Sequence, residues 1–213
     1  MTASSAAERM GREGGGMLLK FVGISVLDHL PLGVDHVEAP ARHCAFVGQA
    51  RQGKAVWAAG EEVDCPMARF NLGIDPPDAA TLTRLAEKLV LWERAKDVGA
   101  ARRFIALLRP LPFGERVFVY FPLDAAPFPP DVVVHVLSPL EAMLTVREIA
   151  VATGGFCEAR TAGVGAMCGE CTAVPLVTHR PTISIGCRGS RREALIGDGE
   201  VLLAVPHPLS VLA

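Results

Sequence analysis

Charged side chains are scarce in this 213-residue chain, at 21% of residues, and neither sign of charge dominates. Twenty-one basic residues against twenty-three acidic ones give a formal net charge of -2. Such a balance provides no overall field that would recruit nucleic acid or an anionic membrane surface. We therefore expect no nucleic-acid partner and no attachment to a membrane.

The sequence also lacks an apolar run long enough to span a bilayer. The run from Met17 to Leu27 is interrupted by Lys20 and Gly23, and it has no cleavage-like context, so neither a membrane span nor a secretory signal is predicted. Residues 1–16 are small and polar and include a glycine triplet, which predicts a flexible leader. The resulting expectation is a cytoplasmic protein, in which six cysteines do not indicate a disulfide framework.

A strict alternation of strands and helices is missing as well. With 50% hydrophobic residues, the length suits one core, and residues 17–213 are predicted to form a single cysteine-containing domain. β-Branched and aromatic runs predict strands, and apolar residues at helical spacing predict helices. The predicted strands are 31–38, 55–58, 117–121, 131–137, 182–185 and 201–205, and the predicted helices are 17–29, 44–53, 76–98, 99–108 and 140–153.

The strand at 131–137 shows almost no alternation of polar and apolar residues, which indicates that both of its faces are covered and that it is central in the sheet. Ser138 and Pro139 form a start signal for the helix that follows, and Gly154 ends it. Because strands and helices intermix, the predicted class is α+β or mixed α/β, with a central mixed sheet flanked by helices.

The cysteines are the residues most suggestive of chemistry. Only the pair Cys168 and Cys171 has a recognised ligand spacing, and one CxxC without a second pair indicates neither a zinc ribbon nor a ferredoxin. Distant loops can still bring four thiolates to a [4Fe–4S] cluster or another thiophilic metal. Two further interpretations remain open, namely a reactive thiol at Cys187 or Cys168, activated by neighbouring cations or a helix start, and plain burial.

Several short motifs together resemble the ArCR proteins, a family of archaeal and bacterial proteins known as domain of unknown function 169. The resemblance covers about residues 18–206. The motifs that carry it are Cys44-Ala45, Asp64-Cys65-Pro66, the run FPPDVVV at 128–134 with the Ser-Pro that follows, the segment from Gly163 to Cys168, Pro175 to Thr178, and Cys187 to Arg191.

The resemblance implies that the family cysteines are those at 44, 65, 168 and 187, and that Cys157 and Cys171 are additional in this chain. A four-thiolate centre is therefore favoured over a CxxC site. Three features depart from the family pattern: Met67 where glycine is usual, Ser190 where an acidic residue is usual, and one extra residue before Cys168.

The leading hypothesis is that these four cysteines bind an iron–sulfur cluster or another thiophilic metal, with a role in redox chemistry or small-molecule activation. One alternative is a non-redox module in which Arg188, Arg191 and Arg192 bind a small anion, and another is an enzyme with a cysteine nucleophile. A small-molecule partner is expected in each case, and a homodimer is compatible with the sequence. His43 is interpreted as a structural or surface residue that can tune a ligand, and Glu170 as a solvated loop carboxylate.

Overall fold

One eight-stranded mixed sheet runs through the part of the chain that the structure, a computed structural model, describes, which is residues 18–209. The strands are β1 (Phe21–Leu27), β2 (Asp35–His36), β3 (Val56–Ala59), β4 (Val117–Pro122), β5 (Val132–Leu137), β6 (Glu158–Ala159), β7 (Thr182–Ser184) and β8 (Val201–Pro206). Their order across the sheet is β2-β3-β4-β1-β5-β8-β7-β6. Only the outer pairs, β2 with β3 and β6 with β7, are parallel.

The helices are α1 (His43–Arg51), α2 (Pro66–Asn71), α3 (Ala79–Leu91), α4 (Val98–Ile105), α5 (Pro139–Thr153), α6 (Val174–Thr178) and α7 (Arg188–Glu193). A π-helix over Ala166–Ala173 precedes α6, and two short 3-10 turns lie at 60–62 and 123–125. This architecture confirms the predicted α+β class with a mixed sheet flanked by helices. No helix within the described range is long and apolar enough to cross a membrane.

Strand β4 is buried along its whole length, so its alternating side chains contribute to two layers. Phe118 and Tyr120 belong to the main core, whereas Val119 and Phe121 form a smaller cluster on the opposite face. The register pairs Gly23 of β1 with Phe121. A Cβ at position 23 would stand 2.2 Å from the Phe121 ring, so only glycine lets the ring lie flat over β1.

The helix predicted over 17–29 is wrong, because this stretch forms β1. Val22, Ile24 and Val26 pack into the main core and alternate with Gly23 and Ser25, which is the two-residue period of a strand. The strand predicted over 31–38 is reduced to the two residues of β2. The other predicted elements are found with shifted ends, and the predicted leader, 1–16, lies outside the described residues.

Helix α5 begins and ends as its sequence predicted. The Ser138 side chain accepts a hydrogen bond from the Glu141 N–H at 3.3 Å, and the Glu141 carboxylate accepts one from the Ser138 N–H at 2.9 Å. Pro139 occupies the first turn, and Gly154 ends the helix in a left-handed conformation. This reciprocal capping satisfies two N–H groups that have no partner within the helix.

Candidate thiol site

Four of the six cysteines line one cavity, which we call the thiol cavity. Its walls include Cys44, Cys65, Cys168 and Cys187, together with Arg42. We call these four the cavity cysteines. The volume is about 50 Å³, room for roughly four water molecules, which suits a compact group and is far below the usual size of a site for a drug-sized ligand.

Each cavity cysteine stands at the beginning of a helix. Cys44 is the second residue of α1, Cys65 directly precedes α2, Cys168 is the third residue of the π-helix, and Cys187 directly precedes α7. The N–H groups of a first helical turn have no partner within the helix, and they favour negative charge beside them. The fold therefore places each of these thiols beside N–H groups that favour its ionised form, while burial opposes ionisation at Cys44 and Cys168.

Cys187 is the cavity cysteine with the most direct support from backbone groups. Its Sγ accepts a hydrogen bond from the Ser190 N–H at 3.4 Å. Burial opposes ionisation, yet hydrogen bonds from Ser190 and from the backbone N–H groups of Ala166 and Gly189 lower the pKa of Cys187 below its ordinary value. A thiolate at this position is stabilised without any bound metal.

The other cavity thiols influence one another. Burial, with smaller contributions from the neighbouring Cys187 and Cys65, raises the pKa of Cys44 to about 12, while Arg42 opposes the shift. Burial also raises the pKa of Cys168, with added contributions from the same neighbours. Several thiolates cannot coexist in this small space unless a cation balances their charge, so a metal group would release protons on binding.

His43 holds two cysteine-bearing helices together. The imidazole lies 2.8 Å (Nδ1) from the Tyr120 hydroxyl and 3.0 Å (Nε2) from the Thr172 hydroxyl. Because Thr172 donates its own proton to the Met167 carbonyl, it accepts from His43, and Tyr120 donates to Nδ1. Complete burial lowers the pKa of His43 to about 3, so the ring is a neutral structural link and neither nitrogen is free to bind a metal.

Two of the three arginines predicted to bind an anion, Arg191 and Arg192, make contacts elsewhere in the protein. Arg191 donates to the carbonyls of Ile185, at 2.7 Å, and of Gly197. Arg192 pairs with Glu193. Among the described residues lining the thiol cavity, the one arginine is Arg42, so the anion-binding hypothesis for residues 188, 191 and 192 stays a prediction without support from these contacts.

Glu170 was interpreted as a solvated loop carboxylate, and this is wrong. It lies buried on the π-helix, where it accepts hydrogen bonds from the Ala162 N–H at 2.9 Å and from the Ser184 hydroxyl. Burial raises its pKa, and these hydrogen bonds oppose the shift. No periodic pattern predicted the π-helix, because Gly165, Gly169 and the cysteines resemble a loop composition.

A second cavity of about 220 Å³ lies beside the thiol cavity, and Gly165 borders both. Asn71, on α2, forms part of the boundary: its Nδ2 donates to the Met67 carbonyl at 2.9 Å and lies 3.7 Å from Cys168 Sγ. A Cβ at Gly165, which has φ 67°, would stand within 3.0 Å of Asn71 and Met67. The glycine motif before Cys168 is thereby explained by close packing against α2.

The two additional cysteines lie outside the thiol cavity. Cys171 is buried in the main core, and Cys157 packs against a separate cluster of Leu137, Ala142 and Leu203 beneath α5. Within residues 18–209, no group of three or more His, Cys, Asp or Glu side chains is arranged to hold a metal ion. The four cavity cysteines thus share a cavity without forming a ready single-ion site.

The family profile of the uncharacterised ArCR proteins, domain of unknown function 169, matches residues 16–209. The chain belongs to the ArCR family. This confirms the resemblance carried by the short motifs around the cysteines. An uncharacterised protein of Methanocaldococcus jannaschii is 29% identical to this ArCR protein over 182 residues, which are 84% of this chain and 77% of the relative. No solved structure matches the ArCR chain.

Sequence reasoning missed three residues that shape the site of this ArCR protein. Arg42 and Met67 line the thiol cavity, and Asn71 separates it from the second cavity. Arg42 adjoins the His43-Cys44 pair and Met67 follows Cys65-Pro66, so proximity to a cysteine was a usable signal for both. Asn71 carried no such signal, since its role depends on the packing of α2 against the π-helix.

Proposed function

We propose that the four cavity cysteines bind an iron–sulfur cluster of the [4Fe–4S] type, with a role in redox chemistry or small-molecule activation. The single observation that supports this most is that these four of six cysteines line one small cavity although they are far apart in sequence. Thiolates are the ligands that such clusters prefer. Proline after Cys65 and glycine before Cys187 suit cluster ligands, since they limit loop motion and let backbone amides approach.

The structure gives a single zinc ion less support than a cluster. Zinc in a structural site is held by thiolates at about 2.3 Å in a tight tetrahedron, whereas no three candidate ligands among the described residues are arranged around one ion. In a cluster each thiolate binds a different iron, so the ligand sulfurs are spread further apart. Helix starts beside each cysteine would offset the negative charge of such a group.

Anaerobic purification followed by reconstitution with iron and sulfide tests this proposal. The expected product is brown, absorbs broadly near ~400 nm and contains roughly four irons per chain. Serine variants at each of the four cavity cysteines should lose more than half of the iron. Cys157→Ser is the matched control, because that thiol lies outside the thiol cavity, and it should retain the full iron content.

Two results would overturn the cluster. One is a folded wild-type protein that stays colourless and free of iron after reconstitution. The other is one tightly held zinc per chain that excludes iron. Equal iron in the cavity variants and in Cys157→Ser would also refute the assignment of the ligands.

A second candidate function is an enzyme with Cys187 as a nucleophile, and the hydrogen bond from the Ser190 N–H to Cys187 Sγ supports it. Alkylation of the metal-free protein by iodoacetamide at neutral pH, followed peptide by peptide, distinguishes the candidates. Preferential labelling of Cys187 would favour the enzyme. Labelling of every thiol no faster than free cysteine would exclude it.

A further inference from the structure

We propose that the second cavity binds a small amino acid with an apolar side chain. The inference concerns residues outside the set of cavity cysteines, and it holds whether or not those cysteines bind a metal. It begins from Asn71, which is 1% exposed and lines this cavity.

The Asn71 amide has a fixed orientation and an unused acceptor. Its Nδ2 donates to the Met67 carbonyl at 2.9 Å, and since a carbonyl accepts but never donates, the amide cannot be reversed. The buried Oδ1 has no hydrogen-bond partner among the described residues. A buried acceptor without a donor is unfavourable, so this atom indicates a ligand that carries a donor.

No side chain at position 169 covers this acceptor, because the residue is glycine. A Cβ on Gly169 would stand 3.1 Å from Asn71 Oδ1, and Gly169 itself lines the second cavity. Glu170, the next residue, also lines the cavity; its carboxylate oxygens accept one hydrogen bond each, from the Ala162 N–H and the Ser184 hydroxyl, and each oxygen has a further lone pair that can accept a donor. Two neighbouring acceptors match an amino group, which has several N–H donors, better than a hydroxyl with one.

The rest of the lining accounts for the remaining parts of an amino acid. Phe104, Leu108 and Val174 supply an apolar surface for a side chain. Arg109 is exposed and lines the cavity, where its guanidinium can pair with a carboxylate. Arg160 also lines the cavity, but its guanidinium already pairs with Glu158 at 3.1 Å. A volume of about 220 Å³ limits the ligand to roughly ten non-hydrogen atoms.

Calorimetric titration with alanine, valine, leucine and methionine tests the proposal directly. We expect at least one of the four to bind with a Kd below about 10 mM. If leucine binds, two analogues measure what each of its charged groups contributes to the affinity: 4-methylpentanoate lacks the amino group, and 3-methylbutylamine lacks the carboxylate. Both should bind at least about tenfold more weakly than leucine.

Two variants assign the contacts. Gly169→Ala should weaken binding of the amino acid about tenfold by covering Asn71 Oδ1, whereas Gly199→Ala, where a Cβ meets nothing within 4 Å, should not. Arg109→Gln changes an exposed side chain and should weaken leucine while leaving 3-methylbutylamine unaffected, which keeps the test valid if Gly169→Ala fails to fold. The proposal is overturned if none of the four amino acids binds, if leucine and 4-methylpentanoate bind equally, or if Arg109→Gln weakens leucine and 3-methylbutylamine alike.

Discussion

The buried imidazole of His43 predicts a specific dependence of stability on pH. The pKa of His43 is about 3 in the folded protein, against an ordinary value of 6.5. Below pH 6.5 the unfolded chain therefore binds a proton that the folded protein excludes, and the free energy of unfolding falls as the pH falls. Complete burial by neighbouring elements, with Tyr120 and Thr172 on its two nitrogens, keeps the ring neutral.

The magnitude follows from the size of the shift. Each pH unit below 6.5 lowers the free energy of unfolding by about 1.4 kcal/mol. The decrease is therefore about 2 kcal/mol at pH 5 and approaches 5 kcal/mol near pH 3. The range from pH 5 to 6.5 is the informative one, because carboxylates with ordinary or lowered pKa values remain ionised there. Burial also lowers the pKa of His135. This second histidine therefore adds to the decrease in the free energy of unfolding of the wild type, and its contribution must be separated from that of His43.

Urea unfolding of the metal-free, reduced protein, followed by far-UV circular dichroism between pH 5 and 7.5, measures this loss. His43→Gln can retain hydrogen bonds to Tyr120 and Thr172 but does not titrate, so its stability should depend less steeply on pH by about 2 kcal/mol over the range. His135 is unchanged in that variant and cancels in the comparison. Parallel stability curves for wild type and His43→Gln would refute the reasoning.

Three further predictions concern stability in urea at neutral pH. Gly23→Ala should destabilise by about 1–3 kcal/mol, because its Cβ would meet the Phe121 ring at 2.2 Å, whereas Gly199→Ala should change little. Arg51→Met should cost at least about 2 kcal/mol, since the buried guanidinium donates to three carbonyls; an unchanged midpoint would contradict this. Ser138→Ala should lower the free energy of unfolding by about 1 kcal/mol, because it removes the cap of α5. A loss of helix content with an unchanged free energy of unfolding would contradict this prediction.

The sequence predicted those elements whose signals are local. Ser138, Pro139 and Gly154 mark both ends of α5, and the apolar run at 132–137 identifies a strand buried on both faces. The stretch at 21–27 was misread because its apolar residues also fit a helical period, and only pairing with β4 and β5 decides for a strand. Local patterns hold no information on such pairing.

The candidate site was predictable to a similar extent. The resemblance to the ArCR proteins selected the cysteines at 44, 65, 168 and 187, and the fold brings these four to one cavity. Spacing alone favoured the pair at 168 and 171, yet Cys171 lies elsewhere in the core. The π-helix, the burial of Glu170 and the role of Asn71 depend on contacts between distant segments, which no local pattern specifies.

The distribution of the cavity cysteines along the chain has a consequence for biogenesis. Because Cys44 lies near the beginning of the domain and Cys187 near its end, a nascent chain still on the ribosome cannot assemble the cavity until nearly all of the domain has been synthesised. Delivery of any group to these thiols must then follow translation of the whole domain. A chain truncated before position 187 would carry three of the four cavity cysteines without the segment that completes the cavity, and we expect it to be a target for oxidation or proteolysis.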